Sequence, residues 1–124
     1  IKNPVYYAIF QWDQLLDLLN RVKIEYAELP KSFAIRRDFS LLIDKNIQFE
    51  ELRQTAMQAD KKLLKSVGLF DVYEGKNLEE GKKSYALSFI LQDGDRTLTD
   101  QEIDACMSKI QANLEKECGA TLRN

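Results

Sequence analysis

The stretch Gly68–Ile103, GLFDVYEGKNLEEGKKSYALSFILQDGDRTLTDQEI, limits what this chain can fold into more than any other. Two β-rich apolar runs flank a polar connection punctuated by Gly75 and Gly81, and a well-marked helix start follows. Spacing predicts strands over Leu64–Tyr73 and Lys83–Gln92. Alternation puts Phe70 and Val72 inward in the first, with Leu69, Asp71 and Tyr73 outward. In the second, Tyr85, Leu87, Phe89 and Leu91 face the core while Ser84, Ala86 and Ser88 face out. EGKNLEEGKK is too long for a two-residue hairpin turn, so an irregular, mobile loop is expected there.

Thr99 is a good N-cap, and Glu102 three residues on completes a capping box, each side chain satisfying a backbone donor the other leaves open. Leu98 and Ile103 are placed to close as a hydrophobic staple. Ile103, Cys106, Met107, Ile110 and Leu114 form the buried stripe, Gly119 suits the left-handed position after the last turn, and ATLRN supplies a short last strand. Upstream, Phe33, Ile35, Arg37, Phe39, Leu41 and Ile43 alternate with Ala34, Arg36, Asp38, Ser40 and Leu42, the first set toward the core. Arg37 spoils that apolar set and belongs near a sheet edge. Phe49, Leu52, Ala56, Ala59 and Leu63 mark a helix from Gln48 to about Leu63.

Read in order, the main part is β-α-β-β-α-β. This is the α+β, ferredoxin-like pattern: a four-stranded antiparallel sheet with two helices on one face and the other face open. Before it, residues 1–30 read as an appended strand and helix. Val5–Phe10 has strand character, Trp12, Leu15, Leu16 and Leu19 share one face of a helix reaching about Asn20, and Val22–Leu29 is a strand or extended linker ended by Pro30. The predicted division is an extension over 1–30 and a domain over 31–124. Ile1 is not an initiator Met, which suggests a piece of a longer chain.

Several function classes are excluded or made hard to reach. The sequence has no histidine, so no Ser-His-Asp or Cys-His arrangement is possible, and a zinc site would be hard to build. No GxxxxGK[ST] phosphate loop is present, and Glu79–Glu80, Asp13 and Asp17 fall on solvated surfaces rather than in a general acid/base pair. Cys106 and Cys118 form no CxxC and read as free thiols of a reducing, cytoplasmic compartment; at core helical spacing, Cys106 and Met107 are packing residues. No apolar run approaches the roughly 20 residues of a membrane span, and IKNPVYYAIF lacks the charged-then-apolar pattern of a signal peptide. Net charge is −2, whereas proteins held to nucleic acid by non-specific phosphate contacts are usually basic. Any RNA contact must be local, or helped by a larger assembly.

The open sheet face remains. Tyr73 offers a π surface, Ser40 and Ser84 offer hydroxyls, Asp71 offers carboxylate oxygens, and Arg36 can meet a phosphate or a base. The plainer account of the same residues is a tyrosine covering the sheet rim with small solvent-facing fillers, and pattern alone favours it, since the aromatic signature of RNA-recognition motifs is absent. Lys61, Lys62, Lys65, Lys82 and Lys83 are candidates to flank a nucleic-acid backbone, although Glu74, Glu79 and Glu80 make a mixed surface equally compatible.

The run LFDVYEGKNLEEGKKSYAL…RTLTDQEI, with FAIRRDFSLLID upstream, resembles the ferredoxin-fold anticodon-binding domain that closes the bacterial phenylalanyl-tRNA synthetase β chain. The resemblance covers roughly Lys31 to Asn124. It implies a tRNA-binding module that touches the anticodon of tRNA-Phe and has no turnover alone. Catalysis would sit in the α chain of an α₂β₂ enzyme using ATP, Mg²⁺ and phenylalanine, so that no cofactor belongs to this piece. The implied partners are the tRNA-Phe anticodon loop, the rest of the β chain and the α chain, with neither DNA nor membrane. By motif, the tyrosine of FD-x-Y, stacking near the first anticodon base, is Tyr73, and the serine after Gly-Lys-Lys is Ser84. The small residue after RRD-x is Ser40, where many members have alanine. All three fall on the face that alternation marks as open. The first thirty residues resemble the tail of the preceding β-chain domain, leaving Val5–Phe10 to find another partner or stay frayed. An alternative of a different class is a ferredoxin-like protein-interaction or small-ligand regulatory domain using the same face.

Overall fold

The computed structural model describes residues 4–19, 23–26 and 28–123. An isolated helix, α1 (Trp12–Leu19), precedes β1 (Ile35–Asp44), α2 (Phe49–Ala59), β2 (Leu64–Tyr73), β3 (Lys82–Leu91), α3 (Asp100–Cys118) and β4 (Thr121–Leu122). The sheet order is β2-β3-β1-β4, with every neighbouring pair antiparallel. This is the ferredoxin-like α+β arrangement.

One face of the sheet carries the core. Leu41, Ile43, Leu64, Leu87, Phe89 and Leu91 pack against Leu52 and Ala56 of α2 and against Ile103, Cys106, Ile110 and Leu114 of α3, all of them fully buried. Phe39 meets Phe89 edge-on, ring centroids 5.4 Å apart. The capping box of α3 forms as its sequence predicts. The Thr99 hydroxyl accepts from the Glu102 backbone N–H, and Glu102 accepts from the Thr99 backbone N–H at 3.0 Å. Leu98 and Ile103 are both buried beside it. Gly119 closes the helix at φ 58°, its N–H donating to the Glu115 carbonyl.

Four expectations are corrected. The helix expected to reach Leu63 stops at Ala59, because Asp60 leaves helical geometry and its carboxylate accepts from the backbone N–H groups of Lys62 and Leu63. That local bond competes with helix continuation. Phe33 is not a core residue: β1 begins at Ile35, and Phe33 is 82% exposed. Val5–Phe10 is no strand; it has no ladder partner among the described residues and its side chains are exposed. Within Val22–Leu29, residues 22 and 27 lie outside the described residues, as does Asn20, and the rest has no regular structure.

The fourth correction bears on the open face. The register of β2 against β3 shifts between Leu69 and Asp71. This bulge inserts Phe70 as an extra residue and reverses the alternation at that point. Leu69, opposite Leu87, turns toward the core, and Phe70 turns outward. Asp71 and Tyr73, opposite Ala86 and Ser84, keep the outward side expected of them. Arg37 is exposed where β1 has lost its β4 neighbour, which pairs only at Leu41 and Leu42, so the charge does sit at a local sheet edge.

Candidate nucleic-acid interface

Register fixes which side chains share the helix-free face. Ser40 lies opposite Ala86, Leu42 opposite Ser84, and Tyr73 opposite Ser84 on the other side. Ser40 and Ser84 therefore meet in the middle of the sheet, their hydroxyl oxygens 3.3 Å apart. Ser84 is only 4% exposed and Tyr73 38%. The tyrosine thus stands above a nearly closed serine pair rather than beside freely solvated fillers.

Arg123, which the sequence reading passed over, completes the group. Its backbone N–H donates to the Ser40 carbonyl at 2.8 Å, which extends the β4 pairing by one residue and puts its side chain on the open face. The guanidinium then crosses the sheet to lie 5.4 Å from the Tyr73 ring centroid. The only signal available in advance was a cation one residue beyond a short apolar strand, which has no direction until β4 is placed beside β1.

Gly75 shapes the same site from the loop. A Cβ built at this position would collide with the Tyr73 ring, so the glycine lets the loop backbone lie flat against the tyrosine. That loop, with Lys45 and Lys82, borders an open groove of about 510 Å³ lined by Glu74, Lys76, Leu78, Glu79 and Glu80. Its carboxylates and amines alternate, so it holds no single sign of charge.

Of the other candidates, Asp71 shares the face two residues from Tyr73, opposite Ala86, whereas Arg36 stands apart. Asp71 accepts from the Val72 backbone N–H at 2.9 Å and remains exposed. Arg36 lies opposite Ile90, toward the far end of β1, where its Nε donates to Asp38 at 2.8 Å. The structure therefore brings Tyr73, Ser84 and Ser40 together, sets Asp71 beside them on the same face, and leaves Arg36 at the periphery.

The lysines do not assemble a positive rim. Lys83 is buried on the helix side of the sheet with its ammonium 4.5 Å from the Tyr85 ring centroid, because its position in β3 pairs with the core residue Ile43. Lys82 is engaged with Asp44 at 2.9 Å. Lys61, Lys62 and Lys65 cluster around the start of β2, at the opposite end of that strand from Tyr73. Arg123 is the cation seen over the tyrosine ring, so the face is suited to stacking and hydrogen bonding more than to phosphate neutralisation.

Among the described residues, the perturbed groups are partners in surface ion pairs, Arg36 with Asp38 and Lys82 with Asp44 among them, and one buried thiol. Arg53 beside Glu50 and Arg96 beside Glu102 pull those carboxyls down to about 2. Burial, with Asp60 nearby, pushes the Cys106 thiol up to about 11, the state of an inert packing residue. Among the described residues, no three His, Cys, Asp or Glu side chains converge as a metal-holding group, and no helix is long and apolar enough to cross a membrane.

Residues 30–123 match the family model of the ferredoxin-fold anticodon-binding domain. Over 123 residues, 99% of this chain, it is 54% identical to a phenylalanine–tRNA ligase β subunit of Bacteroides fragilis and 49% identical to one of Porphyromonas gingivalis. Over 111 residues, 88% of this chain, it is 43% identical to a phenylalanine–tRNA ligase β subunit of Geobacillus kaustophilus. The chain spans about 15% of the length of the first two relatives and 14% of the third.

Proposed function

This chain belongs to the ferredoxin-fold anticodon-binding domain family, and from that premise we propose that it reads the anticodon loop of tRNA-Phe within a phenylalanyl-tRNA ligase β subunit. The observation that carries this reading is the Tyr73–Ser84–Ser40–Arg123 group drawn across the helix-free face. An unpaired base stacks on Tyr73. The Ser84 and Ser40 hydroxyls, each able to donate and accept, read its edge. Arg123 closes over the same nucleotide or takes its phosphate. Asp71 and Arg36 contact the flanking nucleotides.

Ser40 holds a hydroxyl where a relative with alanine would offer only bulk, so the contact there gains a hydrogen bond. The module itself turns nothing over. Catalysis with ATP, Mg²⁺ and phenylalanine belongs to the α chain of an α₂β₂ assembly in the cytoplasm, and this module contributes tRNA placement. In this scheme residues 1–30 continue the preceding β-chain domain, and the exposed apolar face of α1, with Trp12, Leu16 and Leu19, packs there.

A ¹⁵N NMR titration with a tRNA-Phe anticodon stem-loop tests the reading, beside a stem-loop of changed anticodon. Shifts at Ser40, Tyr73 and Ser84 that are stronger for the native loop are expected. Equal shifts with both loops would reduce the contact to charge. A second reading, a protein-binding or small-ligand face, has the carboxylates of Asp38 and Asp71 in its favour. It predicts no response to either RNA.

A further inference from the structure

Phe70 is a large apolar ring that the fold turns out of the core and into solvent. As the extra residue of the β2 bulge it is 55% exposed, on the same face as Tyr73. The Arg36 guanidinium reaches it from β1, 5.1 Å from the ring centroid, and is itself tethered by Asp38 at 2.8 Å. The floor beside this pair is low. Gly68 faces Ser88 across the ladder, and a Cβ at Gly68 would stand 2.9 Å from the Ser88 hydroxyl oxygen. Ala86, opposite Asp71, keeps the floor low toward Ser84.

The face thus carries two aromatic–arginine stacks, Phe70 with Arg36 and Tyr73 with Arg123, separated by a trough of small side chains. A bulge that re-aims a bulky ring to the surface is a device found beside functional sites. Base stacking on such rings is tolerant of sequence and needs no basic surface, which suits a chain of net charge −2.

We propose that Phe70, with Arg36, is a second nucleotide-stacking site for single-stranded RNA. A base packs against the Phe70 ring while the guanidinium stacks on or hydrogen-bonds the same nucleotide. The three-residue separation from Tyr73 along the strand is about 10 Å at roughly 3.3 Å per residue. That is well beyond the ~3.4 Å between stacked bases, so the two rings take separate, splayed bases of one loop. This assignment rests on the RNA-reading function proposed above.

Fluorescence-anisotropy titration of the 124-residue chain with a labelled tRNA-Phe anticodon stem-loop, at several salt concentrations, tests it. Phe70→Leu keeps an apolar side chain and removes the ring; it is expected to weaken binding about tenfold. The slope against salt should not change, because no phosphate contact is lost. Phe70→Trp, which enlarges the ring, should bind at least as tightly as the wild type. Wild-type affinity in Phe70→Leu, alongside weakened binding in Tyr73→Ala, would overturn the second site and leave the anticodon-reading function standing. So would weakened binding in Phe70→Trp, a readout that holds even if the leucine variant folds poorly. Absence of wild-type binding, or indifference to both the Phe70 and Tyr73 variants, would overturn both.

Discussion

The Arg123 guanidinium rests over the Tyr73 ring, 5.4 Å from its centroid, although one residue follows β4 and the other ends β2, at opposite edges of the sheet. Between them lie Ser40, Leu42, Ser84 and Ala86, short or half-buried side chains that let the arginine cross. The pair makes the open face a site with a cation held over an aromatic platform. An exposed cation–π contact of this kind contributes about 0.5–1 kcal/mol, little enough for a base to displace.

Arg123→Ala should leave the fold intact and free the Tyr73 ring. The expected outcome is a change in the Tyr73 ring proton shifts, with thermal unfolding nearly unmoved. Affinity for the anticodon stem-loop should fall several-fold, with a salt slope shallower by about one if Arg123 meets a phosphate. An unchanged slope would assign the arginine to stacking alone.

Gly75→Val puts a side chain where the Tyr73 ring stands. The ring must swing away, and since Tyr73 is not a core residue the cost falls on binding rather than stability. Stem-loop affinity is expected to drop about as far as in Tyr73→Ala, roughly 5- to 100-fold for one lost base stack. Native affinity in Gly75→Val would mean that the loop, not the ring, gives way.

Glu102 ties Arg96 to the α3 cap and is held at about 2 against an ordinary 4.5. Its folded value lies below its unfolded one, so its contribution is complete above about 4.5 and is lost as pH falls from there through about 2. Glu102→Gln should lower the melting temperature at pH 7 and flatten the acid limb of a Tm-against-pH curve. A parallel downward shift at every pH would show that the cap depends on the amide-competent geometry and not on the charge.

Leu87→Ala and Ile110→Ala empty fully buried positions in β3 and α3 at the heart of the core. Each is expected to cost about 2–5 kcal/mol in urea unfolding. Phe33→Ala, in the exposed lead-in to β1, should cost under about 0.5 kcal/mol, the range of an unremarkable surface position.

Much of this was legible in the chain. The α3 boundaries, its capping box and the Gly119 terminus are local chemistry, encoded within a few residues by hydroxyl, carboxylate and the freedom of a glycine backbone. The inward set of β3 followed from a period of two with no interruption. Ser40, Ser84 and Tyr73 reached the same face because each lies in a run whose alternation holds at that residue. Alternation failed at Phe70, where an extra residue in the ladder reverses the faces and only the partner strand reveals the insertion. Lys83 keeps the alternation, on the helix side with Tyr85, but the identity of its partner, the Tyr85 ring rather than solvent, was not legible in the chain.

From near neighbours alone the chain specified the β-α-β-β-α-β order of the domain, the α3 caps and the buried faces of β3 and α3. The tertiary structure alone decided that Arg123 lies on Tyr73, that Arg36 lies on Phe70, and that the two serine hydroxyls stand 3.3 Å apart. Each of these contacts joins residues more than thirty positions apart in the chain. Their geometry is set by strand register and by one bulge, and neither exists until the strands have paired.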